Sequence, residues 1–151
     1  MATISAVRYV AVCGAGTATE REVHDAEEVG RELARRGAVV ICGGLGGVME
    51  AVSRGAAEAG GTAIGILPGL DREGASPHLS VALPTGLGQA RNAVIVTAAD
   101  AVIAIGGGWG TLSEIGLARR LGRRVLALNS WAVEGLETVA SAAEAVERAL
   151  A

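Results

Sequence analysis

Three apolar runs in this 151-residue chain end directly in glycine clusters. Val7–Cys13 runs into Gly14-Ala15-Gly16, Val39–Cys42 into Gly43-Gly44-Leu45-Gly46-Gly47, and Ala101–Ile105 into Gly106-Gly107-Gly108-Trp109-Gly110. Segments with helical periodicity follow each cluster. Nearly continuous apolar strands such as VVIC, TAIGIL and AVIAI suit strands covered on both faces, which is the condition of a parallel sheet. Strands alternating with helices therefore predict an α/β fold, a doubly wound parallel sheet in a single domain spanning 1–151. Ligands of such sheets bind beyond the carboxyl ends of the strands, near the point where strand order reverses. Gly supplies 23 of the 151 residues, about twice the usual ~7%. Much of that excess lies where a ligand is expected.

The spacing predicts further elements. Residues 20–36 form an amphipathic helix with Val23, Ala26, Val29, Leu33 and Ala34 on one face, opened by a Thr17/Glu20 capping box. Glu27–Arg31 and Glu32–Arg36 are spaced as i,i+4 pairs on its outer side. A helix of small residues follows the second glycine cluster to about Ala59, and its Gly55–Gly60 stretch permits close packing, within one subunit or between two. Thr62–Leu67 is the third strand, Leu79–Leu83 a short fourth, and Thr85 a cap for a helix over 87–98. A helix over 111–121, a strand at Arg124–Leu128 and a closing helix over 132–150 complete the reading.

All 13 basic residues are Arg, and the chain has no Lys. That excludes pyridoxal-phosphate chemistry, which holds its cofactor on a lysine amine, and an ordinary Walker A loop. A net charge of −3 and three aromatic side chains, Tyr9, Trp109 and Trp131, predict no nucleic-acid partner. No stretch reads as a membrane span or export signal, so a cytoplasmic location is expected. Cys13 and Cys42 read as buried small hydrophobes, and no Cys/His spacing suits a metal.

Three segments can carry chemistry. Glycines at 43–47 let backbone amides approach an anion, helped by the dipole of the following helix. The dinucleotide fingerprint fails there: Met49 holds the third glycine position of the Gly44-Leu45-Gly46 pattern, and no acidic residue lies between Glu58 and Asp71 to take a ribose. Gly14-Ala15-Gly16 fails likewise, with Thr19 at the third position. The segment GGGWGTLSE, Gly106–Glu114, offers Thr111 and Ser113 hydroxyls and helix-start amides for a phosphate, with Glu114 facing the same crevice. Thr111 and Glu114 also have capping-box spacing, and both roles stand. Trp109 either walls a pocket for a planar base or packs at an interface. Arg91 is the only charged residue between Glu73 and Asp100, and must snorkel, pair with a carboxylate or bind an anion. His24 belongs to the charged helix side, and His78 lies in a loop within reach of the site.

The runs GGLGGVMEAVSRGAAEAGG, IGILPG, GLGQARNAVIV and IAIGGGWGTLSEIGLA together resemble the LOG-like Rossmann superfamily, some of whose members carry a lysine-decarboxylase label. The resemblance spans nearly the whole chain and is nearest the molybdenum cofactor carrier-like branch. It implies a Rossmann-like domain that assembles as a homodimer or homotetramer. It also implies a small phosphorylated ligand held by Gly14, Gly43, Gly44, Gly46, Gly47, Arg91, Gly107, Gly108, Trp109, Gly110, Thr111 and Glu114. Carrier relatives hold a pterin-type molybdenum cofactor. LOG enzymes cleave nucleoside 5′-monophosphates, cytokinin ribosides among them, to free base and ribose 5-phosphate. Their working pair, an Arg and the Glu of P-G-G-x-G-T-x-x-E, falls on Arg91 and Glu114, 23 residues apart. No catalytic cofactor is implied. Two positions depart from the enzyme pattern: Asn92 stands where those enzymes carry Lys, and Gly106 where they carry Pro. The loss of that fixed cation favours binding over cleavage.

Overall fold

The structure is a computed structural model and describes residues 6–151. Seven parallel strands form one sheet in the order β4-β3-β2-β1-β5-β6-β7. They are β1 (Tyr9–Gly14), β2 (Val39–Cys42), β3 (Thr62–Leu67), β4 (Val81–Pro84), β5 (Ala101–Ile105), β6 (Arg124–Leu128) and β7 (Glu137–Val139). The helices are α1 (Glu20–Arg35), α2 (Val48–Glu58), α3 (Arg91–Ala98), α4 (Trp109–Arg120) and α5 (Ala142–Ala149). The chain winds outward from β1 to β4, then returns to place β5 on the other side of β1. That reversal is the switch point of the expected doubly wound sheet.

Alternation along each strand builds two cores. Val10, Val12, Val40 and Ile103 face α1, α2 and α5, where Val29, Leu33, Val52 and Val146 meet them. Ala11, Ile41, Val102 and Val125 face α3 and α4, where Ile95, Val96 and Ile115 meet them. Both faces of the central strands are thus dry, which is why their sequences read as unbroken apolar runs.

The small residues of α2 serve packing inside one subunit. A Cβ on Gly55 would lie 2.1 Å from the Glu27 carbonyl oxygen, and one on Gly30 would lie 2.2 Å from that of Val52. Two helices therefore approach through glycine at both contact points. Around that crossing, Arg54 donates to Glu27 at 2.7 and 3.0 Å, and Arg31 bridges Glu27, Glu28 and Glu58.

Several expectations need correcting. The first strand spans Tyr9–Gly14 rather than Val7–Cys13, and β4 spans Val81–Pro84 rather than Leu79–Leu83. The capping box of α1 is Thr19/Glu22, two residues beyond Thr17/Glu20: Glu22 N–H donates to Thr19 Oγ1, and Thr19 N–H to Glu22 Oε2, both at 3.2 Å. Glu27–Arg31 forms, but Glu32 pairs with Arg35 instead of Arg36. Thr85 accepts from Leu87 N–H and donates to the Leu67 carbonyl but caps no helix: a 3₁₀ turn at Gly88–Ala90 starts behind Leu87 without a side-chain cap, and α3 begins only at Arg91. No single helix covers 132–150. Gly135 takes φ +89°, Glu137–Val139 pairs with β6, and α5 restarts behind the Ser141 cap. Pairing to the open edge of β6 outweighs helical periodicity in that stretch.

Candidate functional site

A cleft of ≈ 380 Å³ opens at the carboxyl ends of β1 and β5, at the switch point. Of the residues singled out from the sequence, Gly14, Gly43, Arg91, Gly108, Gly110, Thr111 and Glu114 line it. Gly44, Gly46, Gly47, Gly107 and Trp109 do not, and neither do Ser113 or His78.

Two of those outlying glycines hold the loops together. Gly47 takes φ +63°, and a Cβ there would sit 2.2 Å from the Ala15 carbonyl oxygen, the same oxygen that accepts from Val48 N–H at 3.1 Å. The loops after β1 and β2 therefore interlock through Gly47. Gly44 packs against Leu67 and accepts from Ser76 N–H at 2.8 Å. Both glycines answer to chain packing, and Gly43 alone of the cluster faces the cleft together with Leu45.

Arg91 opens α3 and is only 5% exposed. Its Nε donates to the Ile66 carbonyl at 2.8 Å, and one terminal nitrogen reaches the Gly43 carbonyl at 3.5 Å. It neither snorkels nor forms an ion pair within 4.0 Å among the described residues. The residue lines the cleft, and its guanidinium carries more N–H donors than these two bonds use. Burial pulls its pKa down, and the charge of Glu114 works against that.

Glu114 does not cap its helix. The helix starts at Trp109 behind a Gly108 cap, so Thr111 and Glu114 are interior positions. Thr111, Glu114, Ile115 and Ala118 form the inward face of α4. Glu114 is 8% exposed; burial raises its pKa, and the Cys13 thiol hydrogen bond and Arg91 partly offset that. Burial first, and then Glu114, push the Cys13 thiol well above its ordinary range. Because no side chain caps α4, the amides of Trp109, Gly110 and Thr111 precede the first helical bond, from Leu112 N–H to the Gly108 carbonyl. Free amides at a helix start suit an anion.

The cleft thus joins a fixed guanidinium, free amides and the Thr111 hydroxyl to a buried carboxyl and a thiol. Cys13 reads from sequence as inert core. It is buried, but it ends β1 at the switch point, and that place was the available signal. Gln89, Met49, Leu45 and Asn92 also line the cleft. Leu45 lies within the marked glycine segment; Gln89 and Met49 carried no residue-level signal of a site. Among the described residues no group of three or more His, Cys, Asp or Glu is placed to hold a metal, and no helix is long and apolar enough to cross a membrane.

Residues 7–150 match the model of the SLOG cluster4 family. The chain belongs to that family. An uncharacterized protein of Archaeoglobus fulgidus is 41% identical over 138 residues, 91% of each chain. The molybdenum cofactor binding protein of Rippkaea orientalis superposes with a TM-score of 0.86 at 34% identity, covering 94% of this chain and 93% of that one. The molybdenum cofactor carrier protein of Chlamydomonas reinhardtii gives 0.85 at 30%, covering 95% and 98%. A probable cytokinin riboside 5′-monophosphate phosphoribohydrolase of Oryza sativa is 32% identical over 112 residues, 72% of this chain, which spans about half (49%) of that relative. The chain is thus a LOG-like Rossmann protein close to the molybdenum cofactor carrier branch, as its motifs suggest.

In this SLOG cluster4 member the Gly106 departure has a structural reason. Gly106 has φ +53°, which proline cannot adopt, and its N–H donates to the Leu128 carbonyl at 3.3 Å. A Cβ there would lie 2.4 Å from Glu22 Oε1. The loop after β5 therefore takes a course that the P-G-G form cannot follow.

Proposed function

We propose that the chain is a binding or carrier protein for a small phosphorylated, nucleotide-like ligand, a phosphorylated pterin such as the molybdenum cofactor being the class of cargo. One observation carries this reading. Arg91 is buried, tied to two carbonyls, without a carboxylate in ion-pair distance among the described residues, and lines the cleft. An uncompensated buried guanidinium is costly, and a phosphate supplies the missing partner in bidentate form. The amides at the start of α4 and Thr111 complete the anion site. Asn92, a neutral neighbour, favours retention over cleavage. The carrier proteins of Rippkaea and Chlamydomonas support the same reading.

The proposal includes a cytoplasmic homodimer or homotetramer. Exposed Val94 on α3, and Val81 and Leu83 on β4, supply apolar surface for such contacts. Titration calorimetry with inorganic phosphate and AMP, and mass spectrometry of the purified protein for a bound phosphorylated pterin, test the carrier reading. Absence of phosphate binding to the wild-type protein overturns it.

Glu114 favours a second reading, phosphoribohydrolase action on nucleoside 5′-monophosphates. Freed from capping, its carboxyl lies in the cleft beside Arg91. Ionised, it would stabilise an oxocarbenium-like sugar; protonated, as burial favours, it would donate to a leaving base. Free base released from AMP or a cytokinin riboside monophosphate, and lost in Glu114→Gln and Arg91→Ala, would establish it. No release with retained binding leaves the carrier reading.

A further inference from the structure

A second cleft, of ≈ 440 Å³, lies across the β5–α4 loop from the first, between Glu22 of α1 and the segment Asn129–Ala132 after β6. Three of its side-chain donor groups are engaged. Ser130 Oγ donates to the Gly106 carbonyl at 2.6 Å, Trp131 Nε1 to the Gly108 carbonyl at 3.2 Å, and Asn129 Nδ2 to Asp25 at 3.3 Å. Two side-chain acceptors remain. Glu22 uses Oε2 to hold Thr19 N–H and keeps Oε1 beside Gly106, and Asn129 keeps its amide oxygen. Asn129 is the one non-glycine residue with positive φ among those described, at +50°. That strain is held by the same contacts that set the cleft wall, a pattern common at ligand sites.

The indole of Trp131 forms one side of the cleft, and Trp109 packs against it with ring centroids 5.5 Å apart and planes at 38°. Trp109 is 79% exposed. A half-buried indole backed by an exposed one, next to a carboxylate with a free oxygen, offers two things at once: a face for a flat ring and an acceptor for ring N–H groups. We propose that this cleft takes a fused-ring heterocycle with a 2-amino-4-oxo edge, the edge shared by guanine and pterin. Its ring N–H and exocyclic amine would donate to Glu22, and its face would stack on Trp131. Adenine presents a different edge, with a ring acceptor where guanine has N–H, and meets an acceptor at Glu22. The proposal rests on the reading of a phosphorylated, nucleotide-like ligand, whose anion site is the first cleft.

Both tryptophans of the chain belong to this pair, so intrinsic emission reports on the cleft without a label. The wild-type protein is titrated with guanosine, adenosine, 2-amino-4-hydroxypteridine, ribose and inorganic phosphate, followed by emission and by calorimetry. Guanosine and the pteridine are expected to bind with saturable quenching, and adenosine at least tenfold more weakly. Glu22→Gln, which keeps a capping-box residue, should weaken guanosine about tenfold with melting temperature unchanged. Trp131→Leu should weaken both rings by calorimetry. Arg91→Ala should abolish phosphate binding and leave guanosine binding intact. Equal affinity for guanosine and adenosine, binding of ribose alone, an unaltered Glu22→Gln, or a Trp pair unresponsive because a second copy covers it would each overturn the ring site. If phosphate binds and no ring does, the ring site fails while the anion reading stands; the reverse result sinks the anion reading alone.

Discussion

Arg91 Nε donates to the carbonyl of Ile66 at 2.8 Å, joining the first residue of α3 to β3 across the floor of the cleft. This bond fixes the guanidinium, which has no ion-pair partner among the described residues. Arg91→Ala should abolish phosphate binding and, by stranding the Ile66 carbonyl, cost about 1–3 kcal/mol of stability. Arg91→Lys should recover part of the stability and little of the affinity, since an ammonium cannot present two parallel donors. Calorimetry with phosphate and urea unfolding of both variants check this.

Glu114 supplies a pH dependence whose sign follows from its surroundings. Burial raises its folded pKa above the ordinary value of 4.5. The native state then binds more protons than the unfolded chain, so stability falls as pH rises from the ordinary carboxylate range through the raised value. Glu114→Gln should melt higher than the wild type at pH 7, with the difference shrinking toward pH 4. Melting curves across that range test it; equal melting temperatures at pH 7 would contradict the burial of a charged carboxylate.

Gly55→Ala should reverse the effect expected from helix propensity. In an open helix, Ala gains roughly 1 kcal/mol over Gly. Here the new Cβ would lie 2.1 Å from the Glu27 carbonyl oxygen, forcing α1 and α2 apart at a cost of about 1–3 kcal/mol. Chemical denaturation of the variant decides the sign.

Gly106→Pro, which introduces the P-G-G pattern of the LOG enzymes, should lower stability by about 2–4 kcal/mol through backbone strain and the lost bond to Leu128. It should also weaken phosphate binding, because the loop sets the course of the chain into α4. Melting temperature and phosphate calorimetry of the one variant read both effects.

Cys13 should resist alkylation at neutral pH. Its thiol is 1% exposed, and burial with Glu114 beside it keeps it protonated. Iodoacetamide labelling with peptide mass spectrometry should show labelling only under unfolding conditions.

The alternation of dry strands with helices was legible in the chain because a strand buried on both faces leaves a continuous apolar run. The glycine clusters after β1, β2 and β5 and the likeness to LOG-like proteins were legible in the motifs too, and that likeness, rather than local spacing, singled out Arg91 and Glu114 together. Other features depended on partners distant in the chain. The end of the molecule forms β7 because β6 offers unpaired backbone groups, a fact no local period records. Gly44 and Gly47 resemble ligand-binding glycines in sequence, yet they pack against Leu67 and Ala15, which only the folded loops bring near. Glu114 has the spacing of a cap, but the helix begins two residues before Thr111, so its carboxyl turns inward to Cys13 and Arg91. Residue type and spacing determined which elements form and which side chains are exceptional. Tertiary structure decided which face the cleft and which only hold the loops, because burial and hydrogen bonding to distant backbone are properties of the packed chain.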